Sequence, residues 1–190
     1  MNDNDQYITR EEAAYEVELA CRRLGMLHIA YAKMLVKKFG KEQGTKLVLE
    51  AIKNYGELVG EQTKKAVLSE GLTADPENFG NGKSRSLPKL GLCESVDEHD
   101  GELRVKNCTM AKVWRELDEE DLGGLYCYID TAKYMYYNPQ YKLTHAKAMP
   151  CHKTDYCVFE LKQTTEKERD DFFNGKDWRY LDKKIMRGDK

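Results

Sequence analysis

The chain has 190 residues, of which 41% are hydrophobic and 34% charged, and its net charge is −2 with both signs mixed. That is enough chain to bury one ordinary core, and no basic run is present that would mark a nucleic-acid footprint. No apolar stretch approaches the roughly 20 residues that span a bilayer, and the polar start Met1 to Asp5 is unlike a signal peptide. A cytoplasmic protein without nucleic-acid or membrane partners is expected.

The six cysteines (Cys21, Cys93, Cys108, Cys127, Cys151, Cys157) are spread along the chain. In a reduced compartment they read as free thiols. They are then available for catalysis, metal binding or plain burial.

Thr9 to Glu12 has the pattern of a capping box, which predicts the start of a long helix ending at Phe39 and Gly40. Val17, Cys21, Leu24, His28, Tyr31 and Leu35 recur at spacings of three and four and form its expected inner stripe. His28 reads as a hydrogen-bonded core histidine. A second helix is expected from Lys41 to Glu70, with Leu47, Ala51, Tyr55, Leu58 or Val59, and Ala66 inward. Gly56 and Gly60 lie four apart within it and each costs about 0.8 to 1 kcal/mol against alanine. Close approach of another backbone is the expected compensation.

Residues 72–86 lack periodicity and are rich in breakers, so they read as a loop or lid. Strands are expected over Lys89 to Val96 and Glu102 to Asn107, turned by Asp97 to Gly101. Thr109 is placed to cap a helix through Leu117. Another helix runs from Asp118–Asp121 to Tyr137 and stops at Asn138-Pro139. Tyr141 to Met149 and Asp155 to Gln163 form a second strand pair around the loop Pro150 to Thr154. Thr165 to Glu168 is a second capping box and opens a C-terminal helix broken at Asn174-Gly175. The chain divides into a helical half (about 9–71), the loop or lid (72–86), a sheet-and-helix half (about 87–163) and a C-terminal helix and tail (164–190), all in a single α+β domain. Its two long helices are expected to pack with a small, mostly antiparallel sheet and further helices.

The chemistry gathers in the second half. Cys127 and Asp130, three apart, share one helical face, which Tyr134 and Tyr137 continue. Leu125, Ile129, Ala132 and Tyr136 make a separate, greasier stripe. Cys108 lies at a strand-to-helix junction, where first-turn amides stabilise a thiolate, so it reads either as a thiol of depressed pKa or as a simply buried one. Cys157 shares one side of the last strand with Phe159 and Leu161, just after Cys151 and His152 in the preceding loop. His145 lies mid-strand beside Leu143 and Lys147. Six tyrosines fall between Tyr126 and Tyr141 and can line a pocket or form a subunit contact. Burial as small hydrophobes is the competing reading for every one of these thiols.

Asn107-Cys108, Tyr126-Cys127-Tyr128-Ile129-Asp130, Tyr137-Asn138-Pro139 and Asp155-Tyr156-Cys157-Val158-Phe159, in that order, resemble the L-2-amino-thiazoline-4-carboxylic acid hydrolase-like family over about 60 residues. The helical first half is similar to vinyl-reductase-type small-molecule-binding domains. The resemblance implies a homodimer and a hydrolase that opens a small cyclic amidine such as 2-aminothiazoline-4-carboxylate at a C–N bond. Cys127, Asp130, Cys108 and His152 are then the catalytic candidates, with Cys127 or Cys108 attacking, Asp130 holding the amidinium and His152 carrying the proton. Tyr126, Tyr134, Tyr137, Cys157 and His145 are candidate substrate-binding residues. The expected cofactor is none, or a divalent metal (Zn or Mn) on ligands from Cys108, Cys127, Cys157 and His152. The alternative is a non-catalytic sensor or carrier that binds a small molecule or metal.

Overall fold

The computed structural model describes residues 7–80, 87–88, 90–99, 102–183 and 185, apart from the side chains of His99 and His152. Helix α1 (Arg10–Phe39) and helix α2 (Lys41–Ser69) form an antiparallel hairpin about Gly40. Strands β1 (Ser95–His99) and β2 (Glu102–Lys106) follow, then α3 (Thr109–Glu116), α4 (Glu120–Gly124), a 3-10 turn (Leu125–Cys127) and α5 (Tyr128–Tyr137). Strand β3 (Tyr141–Lys147), the short α6 (Met149–His152), β4 (Tyr156–Gln163), α7 (Glu166–Phe173) and a 3-10 turn (Arg179–Asp182) complete the order. The four strands form one antiparallel sheet in the order β1-β2-β4-β3. The fold is thus α+β, as the element order predicts, with α3 to α5 packed against the helical hairpin and α5 also against β3.

Local signals explain the ends of the elements. Both capping boxes form: the Thr9 hydroxyl accepts from the Glu12 amide while Glu12 accepts from Thr9, and Thr165 and Glu168 do the same for α7. At α3 the cap differs from expectation. Cys108 is the N-cap, and the Thr109 hydroxyl instead donates to the Gly91 carbonyl at 2.9 Å, tying the helix start to the preceding segment. The first strand lies later than its apolar pattern suggests, at Ser95–His99, and the expected turn residues Asp100 and Gly101 lie outside the described residues. The long helix expected up to Tyr137 is instead two helices joined by the 3-10 turn Leu125–Cys127. Part of the predicted loop Pro150 to Thr154 is the short α6.

The largest correction concerns which faces are buried. Tyr31 is 61% exposed and Leu24 also faces out, whereas Cys21, Gly25, Ile29 and Ala32 are the buried residues of α1. In α2, Ala51, Tyr55 and Leu58 are exposed, and the buried line is Gly44, Val48, Leu49, Ile52, Gly56, Gly60, Thr63 and Val67. The glycines themselves point at the core. A Cβ on Gly56 would stand 2.4 Å from the Ala132 Cβ, and one on Gly60 would stand 2.4 Å from the Lys133 carbonyl oxygen. The absence of side chains lets α2 lie directly on the backbone of α5. Gly44 allows the same closeness to Val36 across the hairpin.

His28 meets its expectation. It sits beside Trp114 and Tyr126, with Nε2 2.9 Å from the Leu122 carbonyl. Among the described residues no helix is long and apolar enough to cross a membrane.

Gly60→Ala gains about 1 kcal/mol of intrinsic helix propensity. It must also push the Lys133 carbonyl away, and overpacking of this kind costs on the order of 1 to 3 kcal/mol or more. Chemical denaturation is expected to show a net loss of stability, and an unchanged or higher midpoint would mean that the two helices are not held this closely.

Candidate functional site

Helix α5 presents its first two turns to β3 and to the C-terminal 3-10 turn, and four ionisable side chains meet there in a line. The Lys133 ammonium donates to Asp130 Oδ1 at 2.5 Å. The other oxygen of that carboxylate, Oδ2, lies 3.5 Å from Nε2 of His145 on β3. On the far side of the ring, His145 Nδ1 is 2.8 Å from Asp182 Oδ2, which also accepts the His145 backbone N–H at 3.1 Å. An ionised carboxylate only accepts, so Nδ1 carries the proton in that contact and Nε2 is the nitrogen directed at Asp130. The side chains of Lys133, His145 and Asp182 are almost fully buried. Asp130 keeps 16% of its surface and is the open end of the line.

Three thiols lie within electrostatic reach of Asp130. Cys108, Cys127 and Cys157 are each close enough for the Asp130 carboxylate to raise their pKa values, as is the hydroxyl of Tyr126. Cys127 and Cys108 retain some accessible surface although burial is the strongest influence on both thiols. Cys157 is buried and accepts the Met149 amide at 3.3 Å, while Cys151 donates to the Ile185 carbonyl at 3.2 Å.

The electrostatics decide between the two readings of Cys108. The amides of Ala111 and Met110 at the start of α3 do stabilise a Cys108 thiolate, but burial outweighs them and pushes this thiol up to about 11. Burial likewise drives Cys157 up to about 12, despite the Met149 amide. Cys127 is raised well above the ordinary thiol range by burial first, then by its neighbours Cys157 and Asp130. A helix N-terminus activates a thiol only where water or a cation also reaches it. Here all three thiols are held in the protonated form.

The other candidates fall in different places. Tyr126 packs among His28, Tyr55 and Trp114, and its hydroxyl is raised by burial. Tyr134 and Tyr137 turn to the segment after α2: their hydroxyls donate to the Pro76 and Asp75 carbonyls at 3.3 and 2.9 Å, and Phe79 stacks between the two rings. That segment, with the 3-10 turn Pro76–Asn78, is a strap fixed to α5, and the rest of the expected lid, residues 81–86, lies outside the described residues. The backbone of His152 ends α6, and its side chain lies outside the described residues. Among the described residues no three His, Cys, Asp or Glu side chains are placed to share a metal ion. A separate surface cleft of about 640 Å³ runs along α2, lined by Lys53, Tyr136, Trp178 and Arg179, away from the thiols.

Lys133 and Asp182 were not read as site residues. Lys133 sits three residues after Asp130, the spacing of an ion pair on a helix, so a signal existed. Asp182 lies in an aperiodic C-terminal stretch, where nothing in the sequence marks burial.

The family described as L-2-amino-thiazoline-4-carboxylic acid hydrolase matches residues 21–161, which hold Cys108, Cys127, Asp130, His145 and Cys157. The chain belongs to this family. Membership suggests a hydrolase. No curated protein and no solved structure matches the chain.

At pH 8 a thiol with a pKa of about 11 is ~0.1% thiolate, against a substantial fraction for free cysteine. Alkylation of Cys108 by iodoacetamide, followed by peptide mass spectrometry, is expected to be on the order of 100-fold slower than that of free cysteine and to accelerate as pH rises toward 11. Rapid modification at pH 7 would contradict the burial argument.

Proposed function

We propose that the protein hydrolyses a C–N bond of a small, cationic, cyclic amidine bearing a carboxylate, such as 2-aminothiazoline-4-carboxylate, at Asp130. The observation that carries this reading is the position of Asp130. It is the accessible member of a buried charge line, with an ammonium on one oxygen, an imidazole near the other, and the Cys127 thiol within electrostatic reach. A carboxylate paired with an ammonium is complementary to a zwitterion. The amidinium takes Asp130 in charge-assisted hydrogen bonds, and the ligand carboxylate faces Lys133.

Cys127 is the attacking thiol in this reading, being the neighbour of Asp130 on the same helical run with accessible surface left. Its raised pKa sets a condition on the chemistry. Burial first, and its negative neighbours after it, keep Cys127 protonated, and a cationic amidinium beside it offsets part of that effect, so the nucleophile forms with substrate bound. The thiol proton passes to His145 Nε2 as sulfur bonds to the amidine carbon. The ring C–N bond then breaks, and the leaving nitrogen takes that proton. Water attacks the thiol-bound carbon and releases the ring-opened carbamoyl amino acid together with Cys127 as the thiol. His145 thus takes the proton-carrying role that the sequence reading gave to His152.

A homodimer goes with the reading. Leu27, Tyr31 and Met34 form an exposed apolar patch on one side of α1, which supports it. Sedimentation is expected to give the mass of two chains at micromolar concentration, and a monomer there removes the dimer from the account.

Cys127→Ser and Asp130→Asn are each expected to lower turnover of 2-aminothiazoline-4-carboxylate at least ~100-fold. The thermal midpoint of Cys127→Ser should stay within a few degrees of the parent. Turnover that survives in Cys127→Ser would remove the thiol from the reaction. A large stability loss with proportionate activity loss would return Cys127 to a packing role.

A further inference from the structure

We infer that Asp182 is the positioning residue of His145, so that the C-terminal segment beyond the family-matched residues forms part of the reaction machinery. Residues 21–161 carry the family match, whereas Asp182 lies twenty-one residues past its end. The segment is nevertheless built into the molecule. Trp178, Leu181 and Ile185 are core residues, with Trp178 set edge-on against Tyr128 and Phe172. The Tyr180 hydroxyl donates to Asp171 Oδ2 at 2.7 Å, and Lys176 pairs with the same carboxylate at 3.1 Å. The 3-10 turn Arg179–Asp182 is thereby fixed from both sides, and it delivers a carboxylate to the underside of β3.

What that carboxylate does there is specific. One oxygen, Oδ2, takes both His145 Nδ1 and the His145 backbone N–H, which locks the ring to its own strand. The Thr131 hydroxyl, 3.4 Å from the same oxygen, donates instead to the Leu143 carbonyl at 2.9 Å and so fixes the α5 to β3 spacing beside it. Among the described residues, the second oxygen, Oδ1, is buried without a hydrogen-bond partner, as is the Tyr128 hydroxyl. A buried carboxylate with one oxygen unmatched is costly in a purely structural role, where asparagine or an apolar residue would suffice. Holding the Nδ1–H tautomer gives it a use. With Nδ1 committed to Asp182 at 2.8 Å, Nε2, at 3.5 Å from Asp130 Oδ2, is the more weakly held nitrogen and the one left to exchange a proton. On accepting one, the ring carries N–H groups toward both carboxylates. On releasing it to the leaving nitrogen, the ring returns to the same tautomer.

This rests on the proposed hydrolysis for its catalytic consequence but not for its structural content, and the test separates the two. Nitrogen-15 spectra of the histidine ring, recorded where the ring is neutral and assigned with His145→Gln, are expected to show Nδ1 protonated and Nε2 bare in the unmodified protein. Finding Nε2 protonated there overturns the inference without recourse to any variant. Asp182→Ala is expected to shift the ring toward the Nε2–H form and to lower kcat on the order of 100-fold with KM changed less than about threefold. Asp182→Asn keeps an accepting oxygen at the same point, so it should retain the Nδ1–H tautomer and recover at least a tenth of the parent turnover. An Asp182→Ala protein that melts lower but keeps its tautomer and kcat overturns the inference. If the unmodified protein turns over no cyclic amidine while the tautomer behaves as stated, the positioning stands and the proposed reaction falls.

Discussion

The closeness of α2 to α5 is the constraint on which the rest of the structure depends. Gly56 and Gly60 bring one helix onto the backbone of the other at Ala132 and Lys133, so that the opposite flank of α5 is pressed toward β3. Asp130 and Lys133 face a sheet that carries His145 and Cys157. Were the helices separated by ordinary side chains, α5 would shift relative to β3 and the 3.5 Å approach of Asp130 to His145 would be lost, whereas the Lys133–Asp130 pair lies within α5 and would travel with it. The propensity cost of the two glycines is therefore a local concession to tertiary packing.

Buried charge explains the character of the site. Each ion in the line has an opposite or polar neighbour, in the order ammonium, carboxylate, imidazole, carboxylate, and only that arrangement makes such burial tolerable. The same carboxylate and the same burial act on the thiols in the other direction. They hold Cys108, Cys127 and Cys157 protonated, burial first and the carboxylate after it. On the proposed reading, a cationic ligand pairs with Asp130 more strongly than a neutral amide does, so charge contributes to its selection.

Much of the architecture was legible in the sequence, because its signals are local. Capping boxes at Thr9 and Thr165, the stop at Asn138-Pro139 and the alternation of β3 and β4 each follow from a few neighbouring residues. The faces of the long helices were not. The pair Gly56 and Gly60 did mark the close approach of another backbone, but ranking bulky apolar residues inward turns the rest of α2 away from that glycine line, which hydrophobic spacing does not register. For the site, the pairing of Cys127 with Asp130 was visible from spacing. The partnership of His145 with Asp182 was not, because it joins mid-strand to C-terminal turn across 37 residues. The two readings of Cys108 could not be separated for a related reason: a helix N-terminus is a local feature, while desolvation is a tertiary one.

A structure of the Cys127→Ser protein with 2-aminothiazoline-4-carboxylate bound tests the central claim most directly. The account predicts the amidine nitrogens against the Asp130 carboxylate, the ligand carboxylate toward Lys133, and the amidine carbon within van der Waals reach of residue 127. Ligand seated instead in the cleft lined by Lys53, Trp178 and Arg179, with no contact to Asp130, would contradict it.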